Sequence, residues 1–288
     1  MNQIEPALID LPQLMHVTAS PSEQSRYECF IGQPESYGAI GIYGGHFVGQ
    51  ALAACFETVD EGKLAQSLHA YFLSPGDPLV AISYSVERLR EGRGSDTRSV
   101  TASQNGRSVF HMIANFKIPE AGDEHQKTMP EIVDPEVLQV QQAKQESKFS
   151  PPMLVGGRVS MMMVGDGFFP QPFVEGRKPQ LQTWMKSNHN QKISDSMSQC
   201  VLAFLSDGTL MFNSVLPYGV PFQSHRLTSL DHSVWFHRMC DVQDWMFFDQ
   251  RSTAAADGRG MNEGEVFDKQ GCLIFTTSQE SMLRRIPK

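Results

Sequence analysis

The sequence predicts an α+β chain built from two tandem copies of one unit, each a curled antiparallel sheet wrapped around a long helix. Three observations carry that expectation: an internal repeat of strand-like segments, an apolar helical stretch ahead of each copy, and turn signals at matching places. In the first copy "SLHAYFLSPGD" (67–77) leads to "YSVERLREGRGSDTRSVTASQNGRSVFHMIANFKI" (84–118). In the second, "SLDHSVWFHR" (229–238) leads to "FFDQRSTAAADGRGMNEGEVFDKQGCLIFTTSQESML" (247–283).

Each copy reads as an aromatic-rich strand, a long strand entering "GRG", a further strand, a turn at "NG" or "QG", and a last strand. Gly106 lies 12 positions after Gly94, and Gly271 lies 11 after Gly260. Asn-Gly is a strong hairpin signal and Gln-Gly a weaker one. Ahead of the first copy, residues 44–59, "GGHFVGQALAACFETV", carry Phe47, Val48, Ala51, Leu52, Ala54, Cys55, Phe56 and Val59, a helix apolar on most sides that must be wrapped rather than laid on a surface. Its counterpart, residues 194–208, places Met197, Cys200, Val201, Phe204 and Leu205 at helical spacing, with Ser194 or Asp195 as cap and Gly208 as stop. Between the copies, residues 119–152 are polar and contain Pro119, Pro130, Pro135, Pro151 and Pro152; one helix is expected near 134–147, with Val137, Leu138 and Val140 on its apolar side. The expected division is therefore 1–118, a connection at 119–152, and 153–288.

At 288 residues and 40% hydrophobic content the chain is long enough for two domains of ordinary size or one large one, with a globular core. No apolar run approaches the roughly 18 residues that span a bilayer, and the start "MNQIEPALIDLPQ" lacks a basic region followed by an apolar one. The end "LRRIPK" is not a peroxisomal signal of the SKL type, so the expectation is a cytoplasmic protein. A formal charge of −8 argues against nucleic-acid or anionic-membrane partners but permits one phosphorylated ligand. The cysteines Cys29, Cys55, Cys200, Cys240 and Cys272 are dispersed and odd in number; they read as buried thiols, not as a disulfide framework or a zinc site.

The stretch "TSLDHSVWFHR" (228–238) holds a serine, an aspartate and a histidine within four positions. Read as a regular strand, it puts Ser229 and His232 on opposite faces, and Ser229 and His237 roughly 26 Å apart on one face. No local Ser-His pair follows. His232 and His237 lack metal-ligand spacing and read as structural.

"GGHFVGQAL", "LHAYFLSPGD", "NGRSVFHMIANF", "AGDEHQKTMP", "LDHSVWFHR" and "STAAADGRGMNEGEVFDKQGCLIFTTSQESMLR" together resemble the acyl-CoA thioesterase II (TesB-type) family, in order from about residue 30 to 285. The resemblance implies two tandem hotdog domains, in agreement with the repeat. It also implies hydrolysis of acyl-CoA to free acid and CoA, no metal or redox cofactor, and a homodimer or larger assembly. By position it assigns the catalytic carboxylate to Asp207 in "AFLSDG", the hydroxyl to Ser229 before "LDHS", and the amide to Gln279 in "TTSQESMLR".

From the residues alone Asp207 reads as a solvated helix terminus; the catalytic role comes from the resemblance. Gln279 has separate support, because it shares a strand face with Leu273, Phe275, Thr277 and Leu283, and a buried amide needs partners. Thr228 adjoins Ser229, so a slip of one residue would exchange them. A carboxylate can take the proton of a water that a hydroxyl and an amide hold in line, and with no histidine placed to activate Ser229, attack by water is the preferred mechanism.

The glycines of "YGGHFVGQ" open the first helix, so Gly45 and His46 are candidates for the carbonyl-polarising side, with close packing as the alternative. His46 stands where many relatives have Gln. Arg88, Arg90, Arg93 and Arg98 form the densest basic stretch, and Arg259 occupies the second "GRG"; Arg93 and Arg259 are candidates for the CoA phosphates, against a solvated-charge reading. The "SMMMV" run at 160–164 reads as core before it reads as an acyl tunnel. A hotdog enoyl-CoA hydratase or dehydratase, or a silent acyl-CoA-binding protein, is the alternative to hydrolysis.

Overall fold

Two apolar helices set the architecture: α2 (Gly44–Phe56) and α4 (Asp195–Ser206), each buried along most of its length, as their all-round apolar sequences require. The computed structural model describes residues 9–22, 24–38, 41–142, 157–165 and 176–287. Before α2 come α1 (Leu11–Met15), β1 (Val17–Ser20) and β2 (Tyr27–Gly32). After it run β3 (Leu64–Phe72), β4 (Ile82–Arg90), β5 (Ser95–Gln104) and β6 (Arg107–Lys117). The connection contributes α3 (Pro135–Gln142). The second copy holds β7 (Val159–Met163), β8 (Gln180–Ser187), α4, a 3-10 turn (Leu210–Phe212), β9 (His225–Ser229), β10 (Asp231–Phe236), β11 (Met246–Ala256), β12 (Arg259–Asp268) and β13 (Leu273–Arg285).

All strands join one sheet in the order β1-β2-β4-β5-β6-β3-β10-β13-β12-β11-β8-β7, with β9 also on β13. The two copies meet where β3 pairs antiparallel with β10, Leu68 opposite Val234 and His69 opposite Ser233. Outside residues 228–238 the expected strands and turns are present. Asn105 and Gly106 have φ of 50° and 74°, and Asp257 and Gly258 have φ of 50° and 68°, so both hairpins turn through two left-handed residues that match the twist of the flanking strands.

The helices α2 and α4 pack antiparallel at close range. A Cβ on Gly45 would collide with the carbonyl oxygen of Phe204, and one on Gly49 would stand 3.0 Å from that of Cys200. Tyr43, preceding α2, donates its hydroxyl to the same Phe204 carbonyl at 2.8 Å. Ser194 caps α4, its Oγ accepting from the Met197 amide at 3.2 Å. The connecting helix ends at Gln142 among the described residues, and the remainder of its expected span lies outside them. Leu138 on α3 packs with Met162, Trp184, Trp245 and Phe247, so the connection is anchored on the second copy, and the methionine run of β7 packs into core clusters.

The regular strand expected through 228–238 is broken. Ser229 pairs with Ser281 while Ser233 pairs with Ser278, so four steps on one side face three on the other and one extra residue is inserted near Leu230. The insertion exchanges the faces. His225 and Leu227 are buried before it, and His232, Val234 and Phe236 after it. The expectation that Ser229 and His232 point to opposite sides is corrected: both turn toward the interior.

Candidate active site

The N-terminal end of α2 and the C-terminal end of α4 converge beside β9, β10 and β13, and a cavity of about 330 Å³ opens there. Ile42, Phe47 and Phe72 from the first copy and Met211, Phe222 and Leu227 from the second give it apolar walls, with Asp207 and Ser229 also in the lining.

Asp207 follows α4 directly and is buried at 4% exposure, not solvated as its position after a helix implies. Its Oδ1 accepts from the Ser229 hydroxyl at 3.3 Å and from Gln279 Nε2, and the carboxylate also accepts from the Gly45 amide. Burial pushes its pKa up from 3.8 to about 6, and the bonds from Gln279, Ser229 and Gly45 hold back part of that rise. The structure thus brings Asp207, Ser229 and Gln279 together from three elements. Ser229, not its exposed neighbour Thr228, carries the hydroxyl that reaches the carboxylate.

Gln279 is fully buried on β13, as its strand face requires. A residue outside the expected set completes the group. His232, fully buried, places Nδ1 3.2 Å from Gln279 Nε2 and Nε2 2.7 Å from Ser206 Oγ. Burial alone holds its pKa down at about 3, so the ring is neutral. The sequence did carry a signal for the bulge that turns it inward: the apolar positions change parity between Leu227 and Val234. Gly44 was also missed as an individual site position; a Cβ there would stand 2.6 Å from Asp207 Oδ2.

The other candidates are placed elsewhere. The Gly45 amide is directed at Asp207 and the His46 amide donates to the Tyr43 carbonyl at 3.0 Å, so both have partners other than a substrate carbonyl. The His46 side chain does not reach the cavity; it lies between the Tyr37 hydroxyl and the Gln33 carbonyl, each at 3.0 Å, and burial lowers its pKa to about 4. Arg98 is buried against Thr58, just beyond the C-terminal end of α2, about 20 Å of helix away from Gly44. Arg93 is exposed in the turn between β4 and β5, near that same far end. Arg88 pairs with Glu28 and Glu91, and Arg259 with Glu280 and Asp257. None of these arginines lines the cavity.

The acyl-CoA thioesterase family profile matches residues 166–282, and the profile of the acyl-CoA thioesterase N-terminal domain matches 33–117. The chain is 34% identical over 269 residues to acyl-CoA thioesterase 2 of Haemophilus influenzae, covering 88% of this chain and 92% of that one. It is 30% identical over 292 residues to human acyl-coenzyme A thioesterase 8, covering 97% and 92%. The crystal structure of an acyl-CoA thioesterase II, TesB2, from Mycobacterium marinum superposes with a TM-score of 0.77 at 27% identity, covering 95% of this chain and 98% of that one. With two family profiles matching in order along a continuous sheet that wraps paired central helices, the chain belongs to the acyl-CoA thioesterase family of TesB-type double-hotdog proteins.

Proposed function

We propose that this protein hydrolyses fatty acyl-CoA to a free fatty acid and CoA, with Asp207 as the base. A water donates one proton to Asp207 while its oxygen bonds to the thioester carbonyl carbon. Collapse of that adduct breaks the C–S bond, and the departing CoA sulfur takes the proton back from Asp207. Ser229 and Gln279 hold the reacting groups in line; such positioning contributes several kcal/mol. The positive end of the α2 dipole faces the same spot and favours the negative charge that develops there.

The observation that carries this reading is the meeting of a buried carboxylate, raised to about 6, with a hydroxyl and a buried amide, the carboxylate and the hydroxyl lining an apolar cavity. A base needs a pKa near the working pH, and an ordinary aspartate is too weak a base. The apolar walls suit an acyl chain. The reading extends to a homodimer or larger assembly in the cytoplasm. Exposed Tyr71, Ile113 and Trp235 on adjoining strands of one sheet face support the association.

The test is free-thiol release from a series of saturated acyl-CoAs, with intact-protein mass recorded during turnover. Thiol release with no acyl adduct is expected. An adduct on Ser229 would replace water attack by a covalent route, and CoA binding without thiol release on any chain would make the protein a silent binder.

A further inference from the structure

We infer that His232 is a positioning residue that fixes which end of the Gln279 amide meets Asp207. The inference deepens the hydrolytic reading and rests on it.

The network determines the proton positions. Ser206 Oγ donates to the Ala203 carbonyl at 2.9 Å, so toward His232 it can only accept, and the proton of the neutral ring sits on Nε2, 2.7 Å away. Thr277 Oγ1, 3.5 Å from the same Nε2, donates to the Ser233 carbonyl at 2.8 Å and is likewise an acceptor for the ring. Nδ1 is then a bare acceptor, 3.2 Å from Gln279 Nε2. One amide hydrogen of Gln279 goes to His232 and the other to Asp207 Oδ1. Both hydrogens are used, and the amide oxygen, buried and without a partner among the described residues, is the end left for a hydrogen donor.

Rotating the amide by half a turn would set its oxygen against two acceptors, the carboxylate and Nδ1. Asp207 alone enforces the orientation only while ionised, because a protonated carboxyl could donate to the amide oxygen. His232 enforces it in both states. Its neutral ring, kept so by full burial, does not change over the pH range in which Asp207 titrates. A water between Asp207 and the Gln279 oxygen can donate to both and direct a lone pair at the carbonyl carbon. If Gln279 presented its NH2 group instead, it would take up one of the water's two lone pairs and leave one of the water's hydrogens without an acceptor, so the water would no longer be held by both protons. The extra residue near Leu230 is what makes this possible, since an uninterrupted strand would turn His232 outward.

Three substitutions separate the two ends of the ring. His232→Asn keeps an acceptor near Nδ1, His232→Gln keeps a polar group near Nε2 only, and His232→Leu removes both. Thiol release from saturated acyl-CoAs, pH profiles and melting curves are measured for all three beside wild type and Asp207→Asn. The Asn variant is expected within about fivefold of wild-type kcat. The Gln and Leu variants are expected about 10²-fold lower with KM nearly unchanged, the size of a loss caused by misplacing a reacting group. Their acidic limb should also move to higher pH, because a freed Gln279 donates less to Asp207, whereas that of the Asn variant should stay. If the Leu variant does not fold, the Asn and Gln pair decides. Equal kcat and the same limb for Asn and Gln, or wild-type kcat for Leu, overturns the inference while Asp207→Asn still tests the hydrolytic reading. Absence of thiol release from wild type overturns both.

Discussion

The backbone amide of Gly45, in the first turn of α2, donates to the carboxylate of Asp207 at the end of α4. The carboxylate belongs to the second copy of the repeat and its amide donor to the first, so the site exists only because the two helices run antiparallel at glycine-limited distance. Tyr43 reinforces the junction through its bond to the Phe204 carbonyl, one turn before Asp207.

The pH dependence of kcat/KM follows from that carboxylate. As the proposed base, Asp207 can work only when ionised, and burial has raised its pKa to about 6, so activity should climb as pH rises through about 6. His46 and His232, lowered to about 4 and 3, are neutral across that range and do not contribute a limb there. Rates of thiol release between about pH 4.5 and 8 check this; a limb near 4, the ordinary aspartate value, would place the base elsewhere.

Stability should move the opposite way in Asp207→Asn. The folded-state pKa of about 6 lies above the unfolded value near 3.8, so between these the folded protein holds a proton that the unfolded chain has lost. Stability from this group is present at low pH and is lost as pH rises to about 6. Above that the ionised, buried form carries a penalty of about 3 kcal/mol. Asparagine cannot ionise. The variant should be more stable than wild type at pH 8 by about 1 to 3 kcal/mol, the gap closing below about pH 4, as denaturant titration at the two pH values would record.

Gly44→Ala should damage catalysis more than folding. The added methyl would stand 2.6 Å from Asp207 Oδ2 and 2.9 Å from Phe72 Cε1, so the carboxylate must move. A loss of kcat of about tenfold or more is expected, with cooperative melting retained. Wild-type kcat would mean that the position of Oδ2 does not matter.

Of the two adjacent hydroxyls, only Ser229 should count. Ser229→Ala removes the 3.3 Å bond to Asp207 and should lower kcat about 10- to 100-fold, while Thr228→Ala, at an exposed side chain, should remain within about twofold. Parallel steady-state kinetics on the two variants would show the contrast, and equal losses would contradict it.

Arg98→Met should lower stability and leave CoA affinity alone. The guanidinium is buried and donates to Thr58 Oγ1, the Thr58 carbonyl and the Arg90 carbonyl, so its loss leaves buried acceptors unmet at a cost of about 2 to 4 kcal/mol. Melting curves and CoA titration separate the two effects.

Much of this was legible in the sequence because its causes are local and periodic. The apolar sides of residues 44–56 and 195–206 demand burial, and "NG" at 105–106 dictates a hairpin. Gln279 announced its burial by sharing a face with Leu273, Phe275 and Thr277. The environment of Asp207 was not legible from its own neighbours, since "SDG" after a helix is what a solvated end also looks like; its candidacy came from the family pattern and not from local chemistry. His232 was turned inward by one inserted residue near Leu230; the change of parity between Leu227 and Val234 records the insertion, but the expectation of an unbroken strand through 228–238 masks it. The contacts of Gly44 and Gly45 depend on how two helices about 150 residues apart cross, and periodicity carries no record of that.

The most direct measurement is thiol release from saturated acyl-CoAs of increasing chain length by wild type and Asp207→Asn in parallel, with CoA binding followed in both. Asp207-dependent hydrolysis predicts turnover by wild type on at least one chain length, and loss of about 10²-fold or more in a variant that still binds CoA. Equal turnover by the two proteins would contradict it.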